Sequence, residues 1–366
     1  MSLTLILIPF GINTKMRKVG VVGYEQTPML RDAGAQNEVE LIMSVVHKVL
    51  KNLNITQRDI DFTCSGSCDY LQGVSFAFVD GLNAVSAVPP IKESHVEMDA
   101  AWALYEAWLK IQSGQAEIAL VYGFGKSSPG EIREILSLQL DPYYMSPLWP
   151  DSVSIAALQA RLLLEKGIVT EEEMACVVQE SRRNALNNPN AQLFGDFSLD
   201  DLISEPYFVS PLKKHDCSPI TDGASVMVIA SEEKAKELHK CPAYINGFDH
   251  RIETGQIGMR DLTISTSVEI SAKELNLDSK NIQVAELHAP FSHQQLILKK
   301  ALNLSDNVVI NQSGGPLAGN IVMTAGLDRI GAIFQQLQFN SIHCGLAHAT
   351  SGPCLQQNML VLLEDS

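Results

Sequence analysis

Residues 53–61 and 275–283 carry the same short pattern, 222 positions apart. The first reads Leu-Asn-Ile-Thr-Gln-Arg-Asp-Ile-Asp and the second Leu-Asn-Leu-Asp-Ser-Lys-Asn-Ile-Gln. Their contexts match too. Each follows a stretch of helical periodicity, residues 37–52 and 264–274. Each precedes a short segment ending in a polar turn, Phe62–Gly66 and Val284–His288. A solenoid repeats every 20–50 residues or so, and this offset is more than half the chain. The pattern therefore points to two similar α/β halves.

Each half divides into elements by periodicity and punctuation. Apolar runs predict strands at Arg17–Gly23, Ile118–Tyr122, Ala224–Ala230, Val308–Ile310 and Met359–Leu363. A helix is expected over Met98–Gln112, with Met98, Trp102, Tyr105 and Leu109 as a core-packing stripe and Gly114 as its stop. A second is expected over Val322–Gln338. Between the strands at 118–122 and 224–230 lies an insertion with helices near 152–166 and 171–186. Thr170-Glu-Glu-Glu173 forms a capping box at the start of the second. The expected division is an extension at 1–16, a first half at 17–235 with the insertion at about 126–215, and a second half at 236–366.

Composition removes several function classes. The formal net charge of −15 argues against a nucleic-acid or anionic-membrane surface, both of which need clustered Lys and Arg. The apolar run Leu3–Phe10 is too short to span a bilayer and lacks the flanks of a secretory signal. Seven scattered cysteines, an odd number, fit free thiols in a reducing compartment, so a cytoplasmic protein is expected. Cys64 and Cys68 resemble half a metal site, but no second pair follows at suitable spacing, and no metal is expected.

Four segments are candidates for chemistry. His95-Val-Glu-Met-Asp-Ala-Ala101 opens the Met98 helix, where Glu97 and Asp99 either cap the helix or line a site. In Glu286-Leu-His-Ala-Pro-Phe-Ser292 a strand ends before a helix, the usual position of ligands in α/β sheets. His288 there is a candidate donor to a thioester or enolate oxygen, or a structural histidine. Asn311-Gln-Ser-Gly-Gly-Pro-Leu-Ala-Gly-Asn320 is a tight loop whose amides are candidates for an oxyanion site, with Gly314, Gly315 and Gly319 lining it. Gly345-Leu-Ala-His-Ala-Thr-Ser-Gly-Pro-Cys354 reads as a glycine-containing turn before the last strand, with His348 and Cys354 as acid/base candidates and Gly352 as a substrate contact.

Taken in order, these segments resemble the thiolase superfamily, nearest its lipid-transfer-protein-like, sterol-carrier-type branch. The likeness runs from about residue 17 to the C-terminus. It includes Gly20-Val-Val-Gly-Tyr-Glu-Gln-Thr27 and Asp216-Cys-Ser-Pro-Ile-Thr-Asp-Gly-Ala224 as well as the Asn311 loop and the final glycine turn. The resemblance implies an αβαβα five-layer fold of two similar βαβαβαββ halves with an inserted loop domain, usually dimeric or tetrameric.

The departures shape the functional expectation. Members of that family attack with a cysteine at the N-terminus of a central helix, where a thiol's pKa is lowered. Counting back from Ser113-Gly114 with the family's spacing reaches Glu97, and no cysteine lies between 68 and 176. Asn320 stands where the family has a second histidine, and the family's acid/base cysteine has no clean match among His348, Thr350 and Cys354. His288 matches the family's histidine in a His-Asp-Cys-Phe-like segment. Without a thiolate, thiolytic cleavage loses its mechanism, whereas retro-aldol cleavage of a β-hydroxyacyl-CoA needs only a base and hydrogen-bond donors. The expected function is therefore a CoA-thioester lyase, with His288 and Asn320 holding the thioester oxygen and His348 as base. Two alternatives remain: a non-catalytic acyl-CoA-binding or scaffold subunit, and an acetyl-CoA acetyltransferase with a rearranged site using Cys344 or Cys354. No cofactor is expected beyond the CoA carried by the substrate. A homodimer is expected, with a small OB-fold, zinc-ribbon protein as a possible partner.

Overall fold

The computed structural model describes residues 16–339 and 341–365. Residues 1–15, most of the expected extension, lie outside them. Ten strands form one mixed sheet: β1 (Val19–Gln26), β2 (Phe62–Gly66), β3 (Lys92–Val96), β4 (Ile118–Gly125), β5 (Gly223–Ser231), β6 (Ala243–Ile252), β7 (Val284–Leu287), β8 (Val309–Ile310), β9 (Cys344–Ser351) and β10 (Gln357–Glu364). Their spatial order is β8-β7-β9-β10-β6-β1-β5-β4-β2-β3. Outward from the β1–β6 junction the two arms read β1-β5-β4-β2-β3 and β6-β10-β9-β7-β8. Each strand of one arm thus has a counterpart five numbers later in the other. The junction itself is only Gly20 opposite Tyr244 and Val21 opposite Ala243.

The repeated sequence marks the same structural step in both arms. Helix α1 (Glu38–Leu53) ends at Asn54 with φ 54°, followed by a 3-10 turn at Gln57–Asp59 and then β2. The later copy ends a helix at Glu274 and places Asn276 at φ 51°, followed by a 3-10 turn at Leu277–Ser279 and then β7. Asparagine tolerates the left-handed region better than other non-glycine residues, so it stops both helices.

Helix α2 (Ala100–Gln112) and the later Ala325–Gln336 helix lie between the two arms. One apolar cluster joins α2 and the Ala325–Gln336 helix to inner-face residues of both, including Val121 and Met227 on one side and Ala347 and Val361 on the other. α1 covers the outer face of the first arm with Ile42, Val46 and Val49. The second arm's outer face is covered by α3 (Ser152–Glu165) from the insertion and by the helices Thr266–Glu274 and Ser292–Ala301. This is the five-layer arrangement expected. Thr170 and Glu173 make the expected capping box, at the start of α4 (Glu171–Asn184).

Two local expectations change. The predicted stripe on α2 is too narrow: Ala100, Ala101, Trp102, Ala103, Leu104, Ala107, Trp108 and Ile111 are buried, and Leu109 is 38 % exposed. A helix between the two arms of the sheet is buried nearly all round, so a one-sided stripe under-describes it. The segment from Cys344 to Ser351 is a strand, not a turn; the turn begins at Gly352. Its Gly345, Ala347 and Ala349 face the central helices, and a Cβ on Gly345 would sit 2.6 Å from Ile333. Small residues there meet a packing need, and they hide the β pattern.

Three longer helices follow α4: α5 (Thr266–Glu274), α6 (Ser292–Ala301) and α7 (Ala325–Gln336). Among the described residues no helix is long and apolar enough to cross a membrane.

Candidate functional site

β7 and β9 run parallel, with Glu286 opposite Ala347 and Leu287 opposite His348. The pairing continues past the strand end, where the His288 N–H donates to the His348 carbonyl (3.1 Å). Two residues further along β9 the Thr350 N–H donates to His288 Nδ1 (3.3 Å). A nitrogen that accepts carries no proton, so the neutral ring holds its proton on Nε2. Burial, helped by His348 and Arg329 nearby, pushes His288 down to about 3, while the adjacent Asn320 side chain pulls weakly the other way. His288 is therefore a neutral N–H donor across the physiological range.

Asn320 is brought to this ring by the segment Asp216–Ala224. Its N–H donates to Thr221 Oγ1 (3.1 Å) and its Nδ2 to Ser218 Oγ (3.3 Å). Ser218 in turn donates its N–H to Pro290 O (2.8 Å), two residues past His288. Below them, Ser292 Oγ donates to the buried Asp216 Oδ1 (2.5 Å). Asn320 Oδ1 is buried and has no hydrogen-bond partner among the described residues. A buried amide oxygen left unpaired in this way stands ready for a donor.

His348, expected as the base, is wholly buried, and burial pushes it down to about 4. Its Nε2 lies 2.9 Å from Asn358 Oδ1. Asn358 Nδ2 donates to Ser267 Oγ and to Leu355 O, which fixes Oδ1 as the acceptor and His348 Nε2 as the donor. The ring thus faces α5, on the outer side of the sheet, and its carbonyl is what touches His288.

The Asn311 loop is held from beneath. Glu286, fully buried, accepts from Ser313 N–H (2.8 Å), Ser313 Oγ (2.7 Å) and Gln336 Nε2 (2.7 Å), and pairs with Arg329 Nη1 at 3.1 Å. The loop's amides are taken up internally: Gly314 N–H by Asn311 O, Gly315 N–H by Ser313 Oγ, Gly319 N–H by Pro316 O. The expected amide-lined oxyanion site on Gly314, Gly315 and Gly319 is thus not formed; the loop closes on itself and presents the Asn320 side chain instead. At Gly319 a Cβ would lie 2.2 Å from Met29 Sδ, so glycine serves close approach.

The two carboxylates at the start of α2 separate. Asp99 is buried and caps two helices at once, accepting from Ala101 N–H and Gly326 N–H (both 2.8 Å) and Leu327 N–H (3.2 Å). Despite those three donors, burial leads and raises it to about 7. It is a helix cap, not a site wall. Glu97 is exposed, and its carboxylate accepts from Asp69 N–H (2.6 Å) and lies 3.2 Å from His95 Nε2. Asp99 links the starts of α2 and α7, and a Cβ on Gly326 would lie 2.5 Å from Ala349, beside Thr350. That packing joins the Asp99 cap to the strand end whose Thr350 N–H meets His288. The Gly352 turn, with φ 74°, follows directly.

All seven cysteines are free and none lies on α2. Burial pushes Cys344 up to about 11 and Cys354 up to about 12, so both stay protonated thiols. Cys64 and Cys68 are buried; among the described residues no group of three or more His, Cys, Asp or Glu is placed to hold a metal. Sequence reasoning missed Ser218, Thr221 and Asn358 as site residues, and the Thr350 amide that sets the His288 tautomer. Among the sequence signals, only the motif Asp216–Ala224 contains the first two.

No family model matches the chain. It is 27 % identical over 357 residues to an acetyl-CoA acetyltransferase of Methanocaldococcus jannaschii, covering 88 % of this chain and 90 % of that protein. It is 26 % identical over 375 residues to human sterol carrier protein 2 (88 % and 66 % covered). It is 22 % identical over 387 residues to a 17-hydroxy-3-oxo-4-pregnene-20-carboxyl-CoA lyase of Mycobacterium tuberculosis (94 % and 99 %). Among solved structures, an Ltp2-ChsH2(DUF35) aldolase superposes with a TM-score of 0.77 at 17 % identity, covering 95 % and 98 %. The Bacillus anthracis acetyl-CoA acetyltransferase does so with 0.77 at 19 %, covering 96 % and 99 %.

Proposed function

We propose, for a chain that belongs to the thiolase superfamily and to its sterol-carrier-like branch, a lyase activity: retro-aldol cleavage of a β-hydroxyacyl-CoA. The observation that carries this reading is the neutral Nε2–H of His288 beside Asn320, with no cysteine at the start of α2. Support comes from a sequence relative named a carboxyl-CoA lyase and a structural neighbour named an aldolase.

In this reading the thioester oxygen accepts from His288 Nε2–H and from the Asn320 amide. A base takes the β-hydroxyl proton, the Cα–Cβ bond breaks, and its electron pair becomes the thioester enolate. The products are a ketone or aldehyde and, after protonation at Cα, a shortened acyl-CoA; no redox partner is needed. Charge builds on the oxygen in the transition state, so a pre-set neutral donor is worth more there than in the ground state. For the base we assign Glu97, not His348. Glu97 is water-accessible at the helix start, while His348 is encased and pushed down to about 4, a weak base at neutral pH.

A homodimer and a small OB-fold, zinc-ribbon partner belong to the same proposal, the latter supported by the DUF35 partner named in the neighbour's structure. The test is incubation of the purified chain, alone and with a co-encoded partner of that kind, with a panel of β-hydroxyacyl-CoA esters. Equimolar carbonyl product and shortened acyl-CoA are expected. Binding of the esters with no turnover in any combination would favour a scaffold subunit. Release of acetyl-CoA from a β-ketoacyl-CoA only when free CoA is added would favour a thiolase.

A further inference from the structure

The turn after β9 holds three residues out of four in the left-handed region: Gly352 (φ 74°), Cys354 (φ 54°) and Leu355 (φ 59°). Glycine adopts that conformation freely, while a branched side chain such as leucine does so under strain and persists only where the surroundings enforce it. The enforcing group is Arg260. Its guanidinium, 7 % exposed, forks onto two successive carbonyls, Nη2 to Pro353 O (2.7 Å) and Nη1 to Cys354 O (3.0 Å). The next carbonyl, Leu355 O, is taken by Asn358 Nδ2 (2.8 Å). Thr350 Oγ1 ties the near side of the turn to Gln357 O on the far side (2.9 Å).

This clamp sits at the base of both contacts that orient His288. The His288 ring is fixed by the Thr350 N–H, three residues before Pro353, and its backbone by the His348 carbonyl. His348 is in turn held by Asn358, which also caps the clamped turn. We propose that Arg260 is a positioning residue for His288: by locking the Gly352–Leu355 turn it fixes the Thr350 amide and hence the Nε2–H tautomer. The inference rests on His288 being the donor to the thioester oxygen. Lysine cannot replace arginine in this role, because an ammonium lacks the planar fork that spans two adjacent carbonyls.

The test compares Arg260→Ala and Arg260→Lys with the unchanged protein by two readouts. The first is the tautomer of His288, read by nitrogen-15 NMR of histidine-labelled protein at pH 7, its signal assigned by loss in His288→Gln. It needs no turnover, so it separates this inference from the lyase reading. The expected result is a single Nε2–H form in the unchanged protein and a mixture of both tautomers in Arg260→Ala and Arg260→Lys. The second is steady-state turnover on whichever β-hydroxyacyl-CoA is cleaved. A fall in kcat of about tenfold or more is expected, with KM little changed, because an interaction made chiefly in the transition state is lost. If Arg260→Ala does not fold, the lysine variant decides. A folded variant with the Nε2–H form intact and kcat unchanged overturns the proposal. So does a tautomer mixture already present in the unchanged protein.

Discussion

Acid should destabilise this fold through three buried histidines, and His293 allows that effect to be isolated. His293 lies on α6, outside the site, with Nε2 3.1 Å from Gln159 Oε1. Gln159 Nε2 donates to Leu262 O, so Gln159 Oε1 is the acceptor and His293 Nε2 carries the proton. His293 Nδ1 is then a bare, buried lone pair with no partner among the described residues. Burial pushes His293 down to about 3, as it does His288, and lowers His348 to about 4. In the unfolded chain each returns to an ordinary value of 6.5. As pH falls through 6.5 the unfolded state takes up protons that the folded state refuses, so stability is lost on acidification. Between pH 7 and pH 5 the loss is about 2 kcal/mol per histidine, roughly 6 for the three. Asp99 acts in the opposite sense: raised to about 7, it binds its proton in the folded state first and returns about 2 kcal/mol over the same window. Asp328 and Asp216, also raised by burial, add to that opposition. The net change therefore mixes signs, and a difference between two proteins is the cleaner measure. His293→Gln keeps a donor toward Gln159 and removes one titrating ring. Unfolding free energies from urea titrations at pH 7 and pH 5 should show the variant losing about 2 kcal/mol less than the unchanged protein. An equal loss in both proteins would refute the argument that His293 is held neutral by burial.

The remaining predictions concern the site. His288→Asn should lower turnover on a β-hydroxyacyl-CoA about 10²–10³-fold, the usual effect of removing one oxyanion donor, with ester affinity by calorimetry largely kept. Glu97→Gln should lower kcat by about 10²–10⁴-fold if its carboxylate is the base, whereas His348→Gln should cost stability more than rate; the kcat values of the two variants discriminate the assignments. Cys344→Ser and Cys354→Ser together should leave turnover unchanged, since both thiols are pushed up to about 11 and 12; loss of activity would reinstate a cysteine mechanism. Gly319→Ala should destabilise by about 1–3 kcal/mol because its Cβ would sit 2.2 Å from Met29 Sδ, and adding Met29→Ala should recover part of that in the urea midpoint.

What was legible in the sequence follows from which interactions are local. The repeat at 53–61 and 275–283 was legible because it records a local event, a helix stopped by a left-handed asparagine and followed by a 3-10 turn. That event recurs because each arm must turn its chain from an outer helix into its second strand in order. The central helices were legible as helices but not as buried on all sides, since the other arm of the sheet, which covers each of them, comes from residues roughly a hundred positions or more away. β9 resembles a turn in sequence because its glycine and alanines answer the approach of α7, not the needs of a strand. The site divides in the same way. His288 and Asn320 are legible as candidates because each ends a recognisable local motif. The Thr350 amide that sets the ring's proton, Ser218 and Thr221 beneath Asn320, and the Arg260 fork are pairings across 60 to 100 positions or more, with no periodicity to betray them. Asp99 shows how the two kinds of information combine. Its place at a helix start predicted a cap, and the structure makes it a cap for two helices, one from each arm. A carboxylate serving both arms cannot also be spent on a substrate, which leaves Glu97 as the acidic group at that helix start still open to solvent and to chemistry.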